Sequence, residues 1–225
     1  MSEKSASEKS ASESARAPER RSAIGSRLRA NRTMRHLTLR ELARRVGVSP
    51  SLISQIETGR SQPSVGTLYA IATELEVSVD DLLFDGDDTR SDRRPGASGP
   101  RDDNGPAGTG PVQRSHNRRA ISLDSGVRWE RLTTQHDDEV EFLDVVYDVG
   151  GASSTAESLT RHAGREYGIV LSGRLSVTLL FEEHVLEAGD SISFASTTPH
   201  RLANAGDVPV HAIWCVVGRD PAPKG

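Results

Sequence analysis

The stretch Arg40–Arg60, RELARRVGVSPSLISQIETGR, decides how the first half of the chain folds. Leu39, Leu42 and Val46 recur at i, i+3 and i+7, one face of a helix. Gly47 is placed to stop that helix, because glycine takes the left-handed backbone of a helix end without penalty. Ser49 offers a hydroxyl to cap the next helix, and Pro50 suits its first position, where no amide hydrogen bond is lost. Leu52, Ile53 and Ile56 form a second apolar face, Ser51, Ser54 and Gln55 point away from it, and Gly59 closes the helix.

Helix, glycine-containing turn, capped helix is the helix-turn-helix arrangement, whose second helix lies in the major groove of DNA. Working outward, Ile24 and Leu28 give the apolar face of a preceding helix. Val65, Leu68, Ile71, Ala72 and Leu75 keep helical spacing behind a Ser64 cap. Val79, Leu82, Leu83 and Phe84 follow a Ser78 cap. Five short helices over residues 21–84 can just close a core at this size. The charge agrees. Between Arg21 and Gln62 nine arginines face two glutamates, a net of +7, in a chain whose formal charge is −4. From His116 to Val217 eight arginines face fifteen acids, a net of −7. A basic segment on an acidic chain points to a local polyanion partner.

LTLRELARRVGVSPSLISQIETGRSQPSVGTLYAIATELEVSVDDLL, beginning at Leu37, resembles the phage-repressor and xenobiotic-response-element class of helix-turn-helix domains, the lambda-repressor-like fold. The positions that carry the resemblance are Ala43, where the two helices approach, Gly47, Ser49–Pro50, Ile56, Glu57-x-Gly59 and Pro63. The resemblance implies a recognition helix from about Pro50 to Thr58, with Ser51, Ser54 and Gln55 facing base edges. Glutamine pairs bidentately with adenine, and serine reads a donor or an acceptor. Thr38 and Arg40 at the start of the preceding helix, Ser49 and Pro50 at the start of the recognition helix, and Arg60 after it would hold phosphates and set register. Thr38 reads equally as an N-cap, and Arg44 and Arg45 as cover for the helix surface.

The rest of the chain separates cleanly. Residues 1–20 are a near repeat of Ser, Ala, Glu and Lys, a tail that buries too little to order itself. Residues 85–115 are rich in Gly, Pro, Asp and Arg without apolar periodicity, and read as a flexible linker. Residues 220–225 read as a second tail. No apolar run reaches the roughly 20 residues of a membrane span. The N-terminus has no apolar core, and Cys215 is the sole cysteine, so the expectation is a cytoplasmic protein with no membrane partner.

Over residues 116–219 the period changes to short β-branched runs. These are Phe142 to Val149, Tyr167 to Gly173, Arg174 to Phe181, His184 to Asp190 and His211 to Val217, divided by Gly, Asn and Asp turns. The class is therefore multidomain, α then all-β. Two motifs here resemble those of the cupin superfamily, a double-stranded β-helix or jelly-roll barrel with a metal or ligand in its mouth. In the pattern G-x5-H-x-H-x3-E-x6-G, His162, Glu166 and Gly173 match, with Thr160 at the first His and Ser154 at the first Gly. In G-x5-P-x-G-x2-H-x3-N, Gly189, His200 and Asn204 match, with Ala195 and Thr197 at the Pro and Gly.

By that resemblance His162, Glu166 and His200 converge, with Thr160 beside them, as an effector pocket. The set resembles the two-histidine, one-carboxylate triad of non-haem iron enzymes, and one Fe, Zn or Mn ion is the cofactor it implies. An imidazole–carboxylate network in a metal-free pocket fits the same residues. His162 and Glu166 share parity, so an extended strand would put both on one side. Trp129, Tyr147 and Trp214 read as core, and Cys215 as core rather than redox sensor.

Two function classes follow. In one, the chain is a transcriptional regulator, not an enzyme. It binds a double-stranded operator as a homodimer, and its barrel binds a small effector that modulates operator binding. In the other, it is an iron-dependent oxygenase. RHAGREYGIVLSGRL also resembles the hydroxypropylphosphonic acid epoxidase family, which joins such a domain to a cupin and uses His, Glu and His. The intact recognition helix favours the regulator. A sugar isomerase would leave that helix unexplained.

Overall fold

The computed structural model describes residues 23–83, 110–137 and 139–218. The predicted tails 1–20 and 220–225, Phe84 and residues 85–109 of the predicted linker lie outside the described residues. The chain divides into two compact units, one ending at Pro63 and one beginning at Ser64. That division falls inside the stretch 21–84 that the sequence reads as one domain.

The first unit contains α1 (residues 23–34), α2 (Leu39–Val46) and α3 (Pro50–Glu57). Each later boundary has its chemistry in place. Thr38 caps α2 by accepting the Glu41 amide, and the Glu41 carboxylate accepts the Thr38 amide in return, a full capping box. Gly47 ends α2 at φ +78°, the left-handed conformation the sequence requires of it. Ser49 caps α3 by accepting the Leu52 amide, with Pro50 in the first turn. α3 is capped at Thr58, and Gly59 supplies the left-handed residue after it. Ile24, Leu28, Leu42, Ala43, Ile53 and Ile56 are buried, whereas Leu52 is only half-buried. Polar chemistry also joins this core. Arg32 of α1 is buried and grips Glu57 of α3 with two bonds, Nε to Oε1 at 2.5 Å and an η-nitrogen to Oε2 at 3.0 Å.

The second unit contains α4 (Val65–Glu74), α5 (Val79–Leu83) and nine described strands. Ser64 caps α4, and Ser78 forms a reciprocal cap with Asp81 at the start of α5. The strands are β1 (Ala120–Leu123), β2 (Val127–Arg131), β3 (Val140–Tyr147), β4 (Arg165–Ser172), β5 (Leu175–Leu179), β6 (Glu182–Leu186), β7 (Ser191–Ala195), β8 (His200–Asn204) and β9 (Val210–Val217). They form a six-stranded sheet ordered β1-β2-β3-β9-β4-β7 and a three-stranded sheet ordered β6-β5-β8, with every strand pair antiparallel. Inward positions alternate with outward ones, as a pleated strand demands. Glu166, Gly168 and Val170 point in from β4, and Ala212, Trp214 and Val216 from β9.

Three readings change. The sequence's continuous run Arg174 to Phe181 ends earlier, because Leu180 turns at φ +55° and Phe181 stands 99% exposed at a hairpin tip. No Gly or Asn announces that turn. Strands β1, β2, β7 and β8 were not singled out; β2, for example, interleaves Arg128 and Glu130 with buried Val127 and Trp129. Cys215 is not core. It alternates with buried Trp214 and Val216 on the outer side of β9, half-buried.

Candidate DNA-reading face and barrel cavity

On α3 the polar ridge is available. Ser51 and Gln55 are exposed and Ser54 is half-buried, on the side away from Ile53 and Ile56. Thr38, Arg40, Ser49, Pro50 and Arg60 are exposed around it. Thr38 and Ser49 each use one hydroxyl lone pair as a helix-cap acceptor, which leaves the O–H free to donate. A phosphate at these helix starts would therefore meet backbone amides, the two hydroxyl donors and Arg40.

In the barrel, four elements converge. β4 delivers Glu166, the segment before it delivers His162, β8 delivers His200, and β9 delivers Trp214. His162 and Glu166 do not share one strand. The chain bends between them at Gly164, φ +105°, and only then enters β4. Thr160 donates its hydroxyl to the His200 carbonyl at 3.2 Å and exchanges two backbone bonds with the same residue, so it fixes His200 in place.

All three candidate ligands are buried. The Nε2 atoms of His162 and His200 lie 3.1 and 3.2 Å from Glu166 Oε1. Among the described residues this is the single cluster of His, Cys, Asp and Glu with ligand atoms that close together, all within 4.8 Å. The ring orientations are set from behind. Nδ1 of His162 meets the Ala163 carbonyl at 2.9 Å, and Nδ1 of His200 meets the Thr198 carbonyl at 2.8 Å. A carbonyl only accepts, so each Nδ1 carries the proton, and in a neutral ring each Nε2 is a lone pair aimed at Oε1. Glu166 Oε1 has no hydrogen-bond partner. Three buried acceptors thus share one point, which a divalent cation among them or a proton on one imidazole would stabilise. The donor set fits a divalent metal on this ground.

Burial, the largest influence, lowers the His200 pKa below its usual range; Glu166 and the Thr198 carbonyl oppose it, and His162 adds to it. Glu166 feels burial pushing its carboxyl up. The neighbouring His162 and His200 and the Trp214 indole together outweigh that, and hold it below the ordinary carboxylate value. Both directions favour the ligand forms.

The other carboxylate oxygen is taken. Trp214 Nε1 donates to Glu166 Oε2 at 2.7 Å. Trp214 lies directly opposite Gly168, and a Cβ there would sit 2.0–2.5 Å from the indole ring. Gly168 therefore makes room for the indole that orients Glu166. The cavity is small, about 30 Å³, with Val65, Tyr69, Trp129, Tyr147 and Leu202 among its walls. Burial pushes the Tyr147 hydroxyl well up, with Glu166 adding to it, so it stays neutral.

The chain matches the Helix-turn-helix family over residues 28–82 and the Cupin domain family over residues 143–216. It is 38% identical over 69 residues to the uncharacterized HTH-type transcriptional regulator y4dJ of Sinorhizobium fredii, covering 31% of this chain and 90% of that one. The chain belongs to the helix-turn-helix transcriptional regulators. A cupin domain completes it. Both parts together are matched by the HTH-type transcriptional regulator SutR of Escherichia coli, 24% identical over 191 residues, 84% of this chain and 90% of SutR. They are matched again by the crystal structure of an HTH_3 family transcriptional regulator from Vibrio cholerae. That structure is 23% identical and covers 89% of this chain and 98% of its own, with a TM-score of 0.63.

In this helix-turn-helix regulator the cavity also holds residues the sequence did not assign. Trp214 was read as core and is core, yet its polar edge faces a candidate ligand. Gly168 inside a strand is the signal that marked a close approach. Tyr69, on α4, gave no signal at all, because it sits in helical periodicity far along the chain from the cupin motifs.

Proposed function

We propose that α3 reads an operator through Ser51, Ser54 and Gln55, with Thr38, Arg40, Ser49, Pro50 and Arg60 positioning the backbone of the DNA. Supporting this, an exposed polar ridge stands on a capped helix in a segment of net charge +7. We further propose that the barrel holds one divalent ion, Fe, Zn or Mn, on His162, Glu166 and His200. Three converging lone pairs with one orphaned carboxylate oxygen are the observation that carries this. When bound, the ion supplies a Lewis-acid point for an effector oxygen.

The effector modulates operator binding, and the chain works as a homodimer in the cytoplasm. Tyr167, Ile169 and Leu171 stand exposed along the outer side of β4, an apolar strip suited to pairing two barrels. Metal content of the purified chain, operator footprinting before and after chelation, and sedimentation test the three parts separately. A regulator keeps salt-dependent, sequence-selective DNA binding without the metal. Oxygen consumption dependent on bound iron, with no DNA binding at moderate salt, would overturn it in favour of the oxygenase reading.

A further inference from the structure

Helix α4 enters the barrel mouth. Gly66 donates its amide to the Ser153 carbonyl at 2.9 Å. A Cβ on Gly66 would fall 2.1 Å from Thr160 Cγ2, so the helix backbone seats directly on the rim. One turn later, the Tyr69 ring stacks on His162, with centroids 4.4 Å apart and planes 11° apart, and meets Trp129 edge-on at 5.8 Å. Its hydroxyl donates to Glu141 Oε2 at 2.9 Å. Tyr69 is 6% exposed.

The space left beside the three acceptors, about 30 Å³, holds an ion and a water but no metabolite. We infer that Tyr69 occupies the effector's own place, and that the effector is a planar phenol-class molecule which displaces the ring and lifts α4 from the rim. The slot is specific. It offers an imidazole face, an indole edge and a carboxylate acceptor, which a flat ring bearing a hydroxyl satisfies together. α4 lies within the matched helix-turn-helix segment, so a molecule in the barrel acts on that segment by direct competition. The inference rests on the effector-binding reading above and adds the ligand class and the coupling element.

The rim contact can be opened at Gly66, which does not itself line the cavity. Gly66→Ala drives a methyl into Thr160 while favouring the helix itself. In Gly66→Ala/Thr160→Ser the clashing Cγ2 is gone, and the remaining neighbours, Ser154 Cβ at 3.4 Å and Thr160 Cβ at 3.5 Å, are ordinary contacts. The experiment labels His162 of the chelator-stripped full chain with diethyl pyrocarbonate and follows it by mass spectrometry, with p-cresol as the phenol probe. If the closed form dominates, Gly66→Ala speeds labelling about tenfold, the double variant returns to the wild-type rate, and p-cresol suppresses labelling in Gly66→Ala. Equal rates in wild type and Gly66→Ala overturn the competition, and labelling indifferent to p-cresol overturns the ligand class. Should Gly66→Ala fail to fold, Tyr69→Ala carries the same comparison, with p-cresol refilling the vacated slot. Cobalt(II) uptake is measured alongside. Its absence from every variant sinks the metal assignment and leaves the labelling rates to judge the inference.

Discussion

The indole of Trp214 holds Glu166 by one carboxylate oxygen, Nε1 to Oε2 at 2.7 Å, and leaves the other to His162 and His200. A partner behind a candidate ligand fixes its rotamer and commonly changes metal affinity by about 10–100-fold when removed. Trp214→Phe keeps the ring and deletes the donor. We expect cobalt(II) affinity to fall by about tenfold, with the circular dichroism spectrum unchanged. Wild-type affinity in that variant would show that the indole is packing only.

Gly168 is the complement of that indole. A methyl group at 168 has no room, because the Trp214 ring already lies where it would project. Gly168→Ala therefore displaces the indole or the strand. The expected cost is about 1–3 kcal/mol in urea unfolding, together with the same loss of cobalt(II) affinity as Trp214→Phe. The two substitutions are expected to be non-additive, since they break one arrangement.

The helical half of the chain was legible because its signals are local. Thr38, Gly47, Ser49 and Ser78 each act on residues within one turn, the three hydroxyls as caps and the glycine as the left-handed helix stop. The candidate ligands were legible through spacing around Glu166 and His200. What spacing cannot carry is contact between distant segments. Tyr69 and His162 meet only after α4 has docked, and Arg32 reaches Glu57 only once α1 lies on α3. Leu180 shows the opposite limit. An apolar residue forced to positive φ has no sequence mark, so the hairpin at 180–181 read as unbroken strand.

Acid is expected to weaken the metal-free barrel. His200 titrates below its usual 6.5 in the folded chain, so as pH falls the unfolded chain takes up the proton first. Stability is then full above pH 6.5 and declines below it. Glu166, also held below its usual 4.5, adds a second decline at lower pH, as its carboxylate becomes protonated. The chain's two tryptophans, Trp129 and Trp214, both line the cavity, so their emission reports barrel unfolding. Urea midpoints by tryptophan emission should drop between about pH 7 and pH 5, and drop less in His200→Gln. Parallel profiles for the two chains would refute the assignment to His200.

The Arg32–Glu57 pair makes a prediction for the DNA-reading unit. Both side chains are nearly buried, 10% and 6% exposed, and Arg32 also donates to the Leu37 carbonyl at 2.6 Å. Arg32→Met leaves the Glu57 carboxylate without its partner at the end of α3, which should cost about 3 kcal/mol in thermal or urea unfolding. Replacing both residues with Met removes the orphaned charge and should recover much of that loss.

DNA binding separates the α3 ridge from its frame. Gln55 is exposed on the ridge and Arg40 at the start of α2. Gln55→Ala removes a group suited to base edges, so the ratio of operator to random-sequence affinity should shrink, at a cost of about 1–3 kcal/mol on the operator. Arg40→Ala removes the proposed phosphate contact. All sequences should weaken alike, and the slope of log affinity against log salt should become shallower by about one. Fluorescence anisotropy on operator and scrambled duplexes across a salt series measures both. If Arg40→Ala changes the sequence preference while Gln55→Ala leaves it intact, α3 is not the element that reads the bases.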